Sequence, residues 1–123
     1  MPSDAKGRGT VLQWLFWQSN DLGPHVGSPW FLKLHERMGR GPVDPAALAA
    51  SVEKAHTTLA LFDAMLAGKD WLAGPAFSLA DLSAAESVYL GTLSGVDLAK
   101  HPNVARWFNA ATSRDAFKKV HPF

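Results

Sequence analysis

The pair Asp44-Pro45, followed by Leu48, Val52, Ala55, Leu59, Phe62 and Leu66, narrows the choice of fold more than any other feature of this chain. Aspartate accepts from the free amides at a helix start, and proline fits the first helical position, where its missing N–H is not needed. The apolar residues then recur at steps of three and four, which places them on one face of a helix. Gly68 stands where such a helix would stop. A helix with one long apolar stripe must be covered by other elements.

The rest of the chain uses the same grammar. Ser78-Leu79-Ala80-Asp81 reads as a capping box, with Ser78 accepting from the amide three residues on and Asp81 reaching back to the Ser78 amide. Phe77 and Leu82 are placed as a hydrophobic staple, and this helix is expected to run to about Leu93. Pro102 opens another, carrying Val104, Trp107, Phe108 and Ala111, and Asp115 is placed to cap a short last helix with Phe117 and Val120. Near the N-terminus, Thr10 is placed to cap a helix that starts with Val11. Pro24 and Pro29 have no N–H to give the carbonyls of Asn20 and His25. The spacing therefore predicts a kink or break between about residues 20 and 29 and a restart at Ser28-Pro29, ended by Gly39 and Gly41-Pro42. No stretch alternates long enough to support a sheet. The expected fold is all-α, a bundle of five to six helices with short loops.

The chain has 123 residues, 47% hydrophobic and 19% charged, which suits one folded domain with a core. Its net charge of +1, with both signs interspersed, gives no electrostatic case for nucleic acid or an anionic membrane. No apolar run approaches the roughly 20 residues of a membrane span. The opening MPSDAKGRGT lacks the apolar core of a secretory signal. There is no cysteine, which excludes disulfides, cysteine-based metal sites and a catalytic thiol supplied by this chain. A cytoplasmic location is the expectation.

The stretch WLFWQSNDLGPH, residues 14–25, poses the main functional question. It starts as the most aromatic part of the chain and then places Gln18, Ser19, Asn20 and Asp21 before a Gly-Pro break. On a regular helix Trp14, Gln18, Asp21, Leu22 and His25 share one face. Two readings stand side by side. Either these residues, with Trp17, line a hydrophobic ligand pocket with a few orienting polar groups, or Gln18, Asn20 and Asp21 satisfy carbonyls freed by Pro24 or face solvent. If a pocket forms, Trp14, Gln18 and His25 are expected to converge on it. Ser78 beside Asp81 suits a cap far better than a nucleophile, which would need a base. The histidines show neither an i, i+4 pair nor an HExxH pattern, so no metal site is expected. Trp71 and Trp107 are expected in the core.

Several of these motifs line up with one family. Trp71-Leu72-Ala73-Gly74 followed by Phe77-Ser78-Leu79-Ala80-Asp81 resembles a segment of the glutathione transferases, where it caps a central buried helix. His101-Pro102-Asn103-Val104-Ala105-Arg106-Trp107-Phe108 resembles the helix that follows. Val11-Leu12-Gln13-Trp14-Leu15-Phe16-Trp17-Gln18 with Gly23-Pro24 resembles the first helix of the same helical domain. The matches cover essentially the whole chain in order. The resemblance implies the C-terminal helical domain over residues 10–123, preceded by a linker-like tail over residues 1–9. It also implies that the first helix borders both the interdomain cleft and the dimer interface.

No segment resembles the family's N-terminal thioredoxin-like domain, which holds the glutathione site and the catalytic residue. The sequence therefore offers no catalytic residue and no cofactor site of its own, with glutathione implied only for a complete family member. Whether the chain is an enzyme stays open. Three origins fit: an excised domain, the product of a split or truncated gene, or a natural single-domain protein. Two functions follow from the resemblance. One is a transferase half that supplies the hydrophobic co-substrate site and dimer contacts for glutathione-dependent transfer or reduction. The other is a non-catalytic binding or assembly module. An upstream in-frame βαβαββα pattern would favour the first. The expected partners are a second copy, a thioredoxin-like domain in cis or trans, and a small hydrophobic ligand.

Overall fold

Asp4 starts the first helix. Its carboxylate accepts from the Gly7 amide at 2.8 Å, and α1 runs Ala5–Trp17 in the computed structural model, which describes residues 1–121. This corrects the start expected at Val11. An upstream aspartate satisfies the helix start, and Thr10 lies inside the helix, where its hydroxyl donates to the Lys6 carbonyl. Residues 5–9 are thus helical.

Between residues 20 and 29, where a kink or break is expected, the helical run continues without a break, and the restart expected at Ser28 is corrected. Gln18–Leu22 form a π-helical segment in which the Gly23 amide donates to the carbonyl of Gln18, five residues back. Helix α2, Gly23–Arg37, follows directly, with Pro24 in its first turn and Pro29 buried inside it. The widened turn supplies the slack that a proline ordinarily obtains by breaking a helix. Ser28 therefore lies within α2 and caps nothing.

Gly39 and Gly41, at φ +73° and +102°, turn the chain in a conformation that side chains disfavour. The connection Met38–Asp44 is almost wholly exposed. Asp44 then caps α3, Pro45–Met65, accepting from the Ala46 amide. Along the expected stripe, Ala55, Leu59, Phe62 and Leu66 are fully buried, whereas Leu48 and Val52 are half-buried near the helix start. Helix α4, Leu79–Leu93, begins at the capping box, which forms as expected. A 3-10 turn, Leu98–Lys100, leads to α5, Pro102–Thr112, and α6, Asp115–Val120. Arg114 takes the cap position of α6 and Asp115 is its first residue, one place from the expected cap.

Helix α2 packs against α3 and α4, α1 lies on α4, and α5 rests on α3 and α4. One face of α4 is built of Ala80, Ala84, Ala85, Val88 and Gly91, all buried. A Cβ on Gly91 would stand 2.7 Å from Val26 Cγ1 and 3.0 Å from the Val26 carbonyl oxygen, so its absence sets how closely α2 approaches. An aromatic chain crosses the core, from Trp14 to Trp17 to Phe62 to Trp107, with successive centroids 5.6, 5.2 and 5.1 Å apart. Among the described residues there is no strand, and no helix is long and apolar enough to cross a membrane.

Candidate functional site

The capping box is the centre of a buried network. Asp81 has no exposed surface. Its Oδ1 accepts from the Trp107 indole at 2.8 Å and from the Leu72 amide at 2.9 Å. Its Oδ2 accepts from the Ser78 amide at 3.0 Å and the Ser78 hydroxyl at 3.3 Å. The Ser78 oxygen in turn accepts from the Asp81 amide, three residues on as expected, and also from the Ala80 amide at 3.2 Å. One carboxylate therefore ties α4 to α5 and to the segment 66–78. Leu82 is exposed, and Phe77 packs edge-on against Trp71 at 5.1 Å. Trp107 is fully buried as expected, and Trp71 is half-buried.

The residues of the WLFWQSNDLGPH stretch go to separate places. Trp14 lines a cavity of about 620 Å³ with Thr10, Gln13, Lys69 and Trp71. Lys69 Nζ stands 5.4 Å from the Trp14 ring centroid. Gln18 lies at the base of a different cavity, a groove of about 340 Å³ between α1 and α4. Its walls are Leu15, Leu79, Leu82 and Leu90. Gln18 donates to the Ser87 hydroxyl at 2.7 Å and accepts from the Ser83 hydroxyl at 2.8 Å. His25 lies between α2 and α3, with Nδ1 3.0 Å from the Thr58 hydroxyl. Leu22 is fully buried in the core, Asp21 is exposed, and Trp17 packs on Phe62. Asn20 is exposed, and its side chain donates to the Phe16 carbonyl at 2.8 Å, a bond within the same helical run and not to the carbonyl that Pro24 leaves free.

The convergence of Trp14, Gln18 and His25 is therefore corrected: they line no common cavity described here. For His25 the cause is the π segment, which rotates it away from the face that Trp14 and Gln18 share. Trp14 and Gln18 are one regular turn apart, the Gln18 amide donating to the Trp14 carbonyl, and meet different neighbours: Lys69 and Trp71 for one, Ser83 and Ser87 for the other.

Sequence reasoning missed two constellations. Ser83 and Ser87 hold Gln18, and a signal for them existed: Leu79, Leu82, Ser83, Glu86, Ser87 and Leu90 recur at helical steps as a second face of α4. The other joins α3 to α5. Asp63 accepts from the Asn103 and Val104 amides at 2.7 and 3.0 Å, capping α5 from outside that helix. Beside it, His56 Nδ1 lies 2.9 Å from His101 Nε2. Burial, then the neighbouring His56, holds the His101 pKa below its ordinary value. No local pattern connects these residues, because they meet only when α5 docks. Among the described residues no three potential ligands gather as a metal site.

Comparison with known proteins places this arrangement. The model of the family "Glutathione S-transferase, C-terminal domain" matches residues 28–115. The disulfide-bond oxidoreductase YfcG of Escherichia coli (strain K12) is 29% identical over 113 residues, covering 92% of this chain and 51% of that protein. Human glutathione S-transferase theta-1 is 31% identical over 126 residues, covering 98% of this chain and 52% of that protein. The crystal structure of glutathione transferase F7 from Populus trichocarpa superposes with a TM-score of 0.86 at 26% identity, covering 98% of this chain and 57% of that one. The chain thus spans about half the length of the curated relatives it matches. With its family model matched from within α2 to the start of α6, on an all-helical fold shared with a solved transferase, the chain belongs to the glutathione S-transferase C-terminal domain family.

Proposed function

We propose that this chain is the helical half of a cytoplasmic glutathione transferase-like protein. With a thioredoxin-like half, in cis or trans, it serves glutathione-dependent transfer or reduction. The other half holds glutathione and the catalytic residue, and this chain supplies apolar surface for the co-substrate and contacts for a homodimer. The observation that carries the reading is the family match on a fold whose α1–α4 groove is walled by four leucines. Leu79 and Leu82 are exposed there, with Leu12 and Phe16 exposed on α1, an extent of apolar surface that suits covering by a partner. The groove is assigned to the thioredoxin-like half. The cavity beside Trp14 is assigned to the hydrophobic co-substrate, because it offers two indoles and a few polar groups.

Titration of the purified chain tests this. Glutathione alone should give no measurable calorimetric binding, while an apolar dye should bind. Trp14→Ala should weaken the dye more than Gln18→Ala, since an indole presents far more apolar area than one amide. Sedimentation should show self-association that Leu82→Lys reduces. A micromolar dissociation constant for glutathione would overturn the division of labour. A monomer that binds no dye would favour a non-catalytic assembly module.

A further inference from the structure

The joint between α3 and α5 is built from groups that respond to protons. His101 occupies the cap position of α5 and is 6% exposed, and its ring meets that of His56 edge to edge, with centroids 5.2 Å apart and planes 28° apart. A hydrogen bond between two imidazoles needs one N–H and one lone pair. The first proton added to the pair leaves that bond possible. A second sets two N–H groups against each other and breaks it. It would also place positive charge at a helix N-terminus, where the helix dipole opposes it. The charged and titratable groups around His101 are His56 and Asp63 from α3 and Asp97 and Lys100 from the 3-10 turn and its cap. Asp63 favours the proton but is already engaged by two α5 amides.

The joint controls more than itself. One turn further along α5, the Arg106 guanidinium donates to the carbonyls of Leu66 and Lys69, at 3.2 and 2.7 Å. Lys69 and the residues after it form one wall of the cavity beside Trp14. We infer that the His56–His101 pair is an acid-sensitive latch, which holds the start of α5 on α3 and, through Arg106, fixes the wall of the Trp14 cavity. Double protonation releases the latch and loosens that wall. This inference is independent of what the cavity binds.

The direction of the pH effect follows from linkage. His101 binds its proton less readily in the folded chain than in the unfolded one. The stability it contributes is present above the ordinary histidine range and is lost as pH falls through that range toward the lower folded value. Each tenfold difference in proton affinity should lower the melting temperature by about 4 °C once both states are protonated.

Melting the chain from pH 7.5 to about pH 5 (near the lower end of the histidine switching range) should show a progressive fall. The slope should be clearly smaller in His101→Asn and in His56→Asn. Fluorine NMR of the fluorotryptophan-labelled wild-type chain reads the second half of the inference. The Trp71 signal, identified by Trp71→Phe, should shift with the same midpoint as the His101 ring proton. An unchanged pH slope in both variants would overturn the latch. So would a His101 ring that titrates in the wild-type chain at its ordinary value, which needs no variant to fold. A Trp71 signal that ignores the His101 transition would overturn the link to the cavity.

Discussion

Asp81 is fully buried, and both its oxygens accept hydrogen bonds, from groups on α5, on the segment 66–78 and at the start of α4. Asparagine in its place keeps one acceptor oxygen but turns an N–H₂ toward buried N–H donors. Hydrogen bonds to a charged group contribute about 1.5–3 kcal/mol each. Asp81→Asn should therefore lower unfolding stability by about 2–3 kcal/mol, against about 1 kcal/mol for Ser78→Ala, which removes the cap and one donor to Asp81 but leaves the Trp107 and Leu72 bonds. Urea unfolding with an unchanged slope for both variants is the measurement. Equal losses would mean that the Trp107 and Leu72 bonds add nothing beyond the cap. Ser78 and Asp81 were legible in the sequence as a pair, because a capping box is local. Trp107 was legible as core but not as a partner of Asp81, because that bond spans 26 positions and depends on how α5 docks.

At the scale of elements, the π segment Gln18–Leu22 decides which side chains of α1 face α4. A π turn is equivalent to one residue added to a regular helix. Deleting exposed Ser19 would restore regular geometry locally and rotate α1 against α2 by about 100°, one residue's step at 3.6 per turn. Val11, Trp14 and Leu15 would then leave their packed positions. The deletion should cost more than about 4 kcal/mol, while Ser19→Ala should stay within about 0.5 kcal/mol. Thermal unfolding compares the two, and near-wild-type stability of the deletion would show that the π turn does not set the register. The same turn explains where sequence reading stopped. Caps and prolines marked α3, α4 and α5 correctly, since their signals sit at helix ends and act locally. Pro24 and Pro29 signalled a kink or break, and the chain takes no break there, because a widened turn precedes one proline and the other is buried inside α2. The placing of His25 on the face of Trp14 and Gln18 failed for the same reason, because it counts a regular period across a point where the period changes.

At the scale of the molecule, the two main connections of the bundle differ in how they are held. The segment 66–78 is tied by Arg106 at its start, by Asp81 at Leu72 and by the Trp71–Phe77 contact. Met38–Asp44 has two left-handed glycines and exposed flanks, and its side-chain ties are local, the Val43 amide donating to Glu36 and the Ala46 amide to Asp44. Under native conditions trypsin should therefore cut first after Arg40, although Lys69 is also exposed. The cut would leave residues 1–40 and 41–123 as separate chains, joined by the burial of Val11, Leu22 and Val26 against α3 and α4 and by the hydrogen bonds of Gln18 with Ser83 and Ser87 and of His25 with Thr58. That interface is part of the core itself. The nicked protein should elute as one species, unfold as one unit, and be rebuilt by mixing the two fragments after denaturation. An initial cut after Lys69, or two fragments that separate without denaturant, would contradict this. What links α2 to α3 covalently is then dispensable once the chain has folded, and the same position would tolerate an inserted sequence or a new pair of termini.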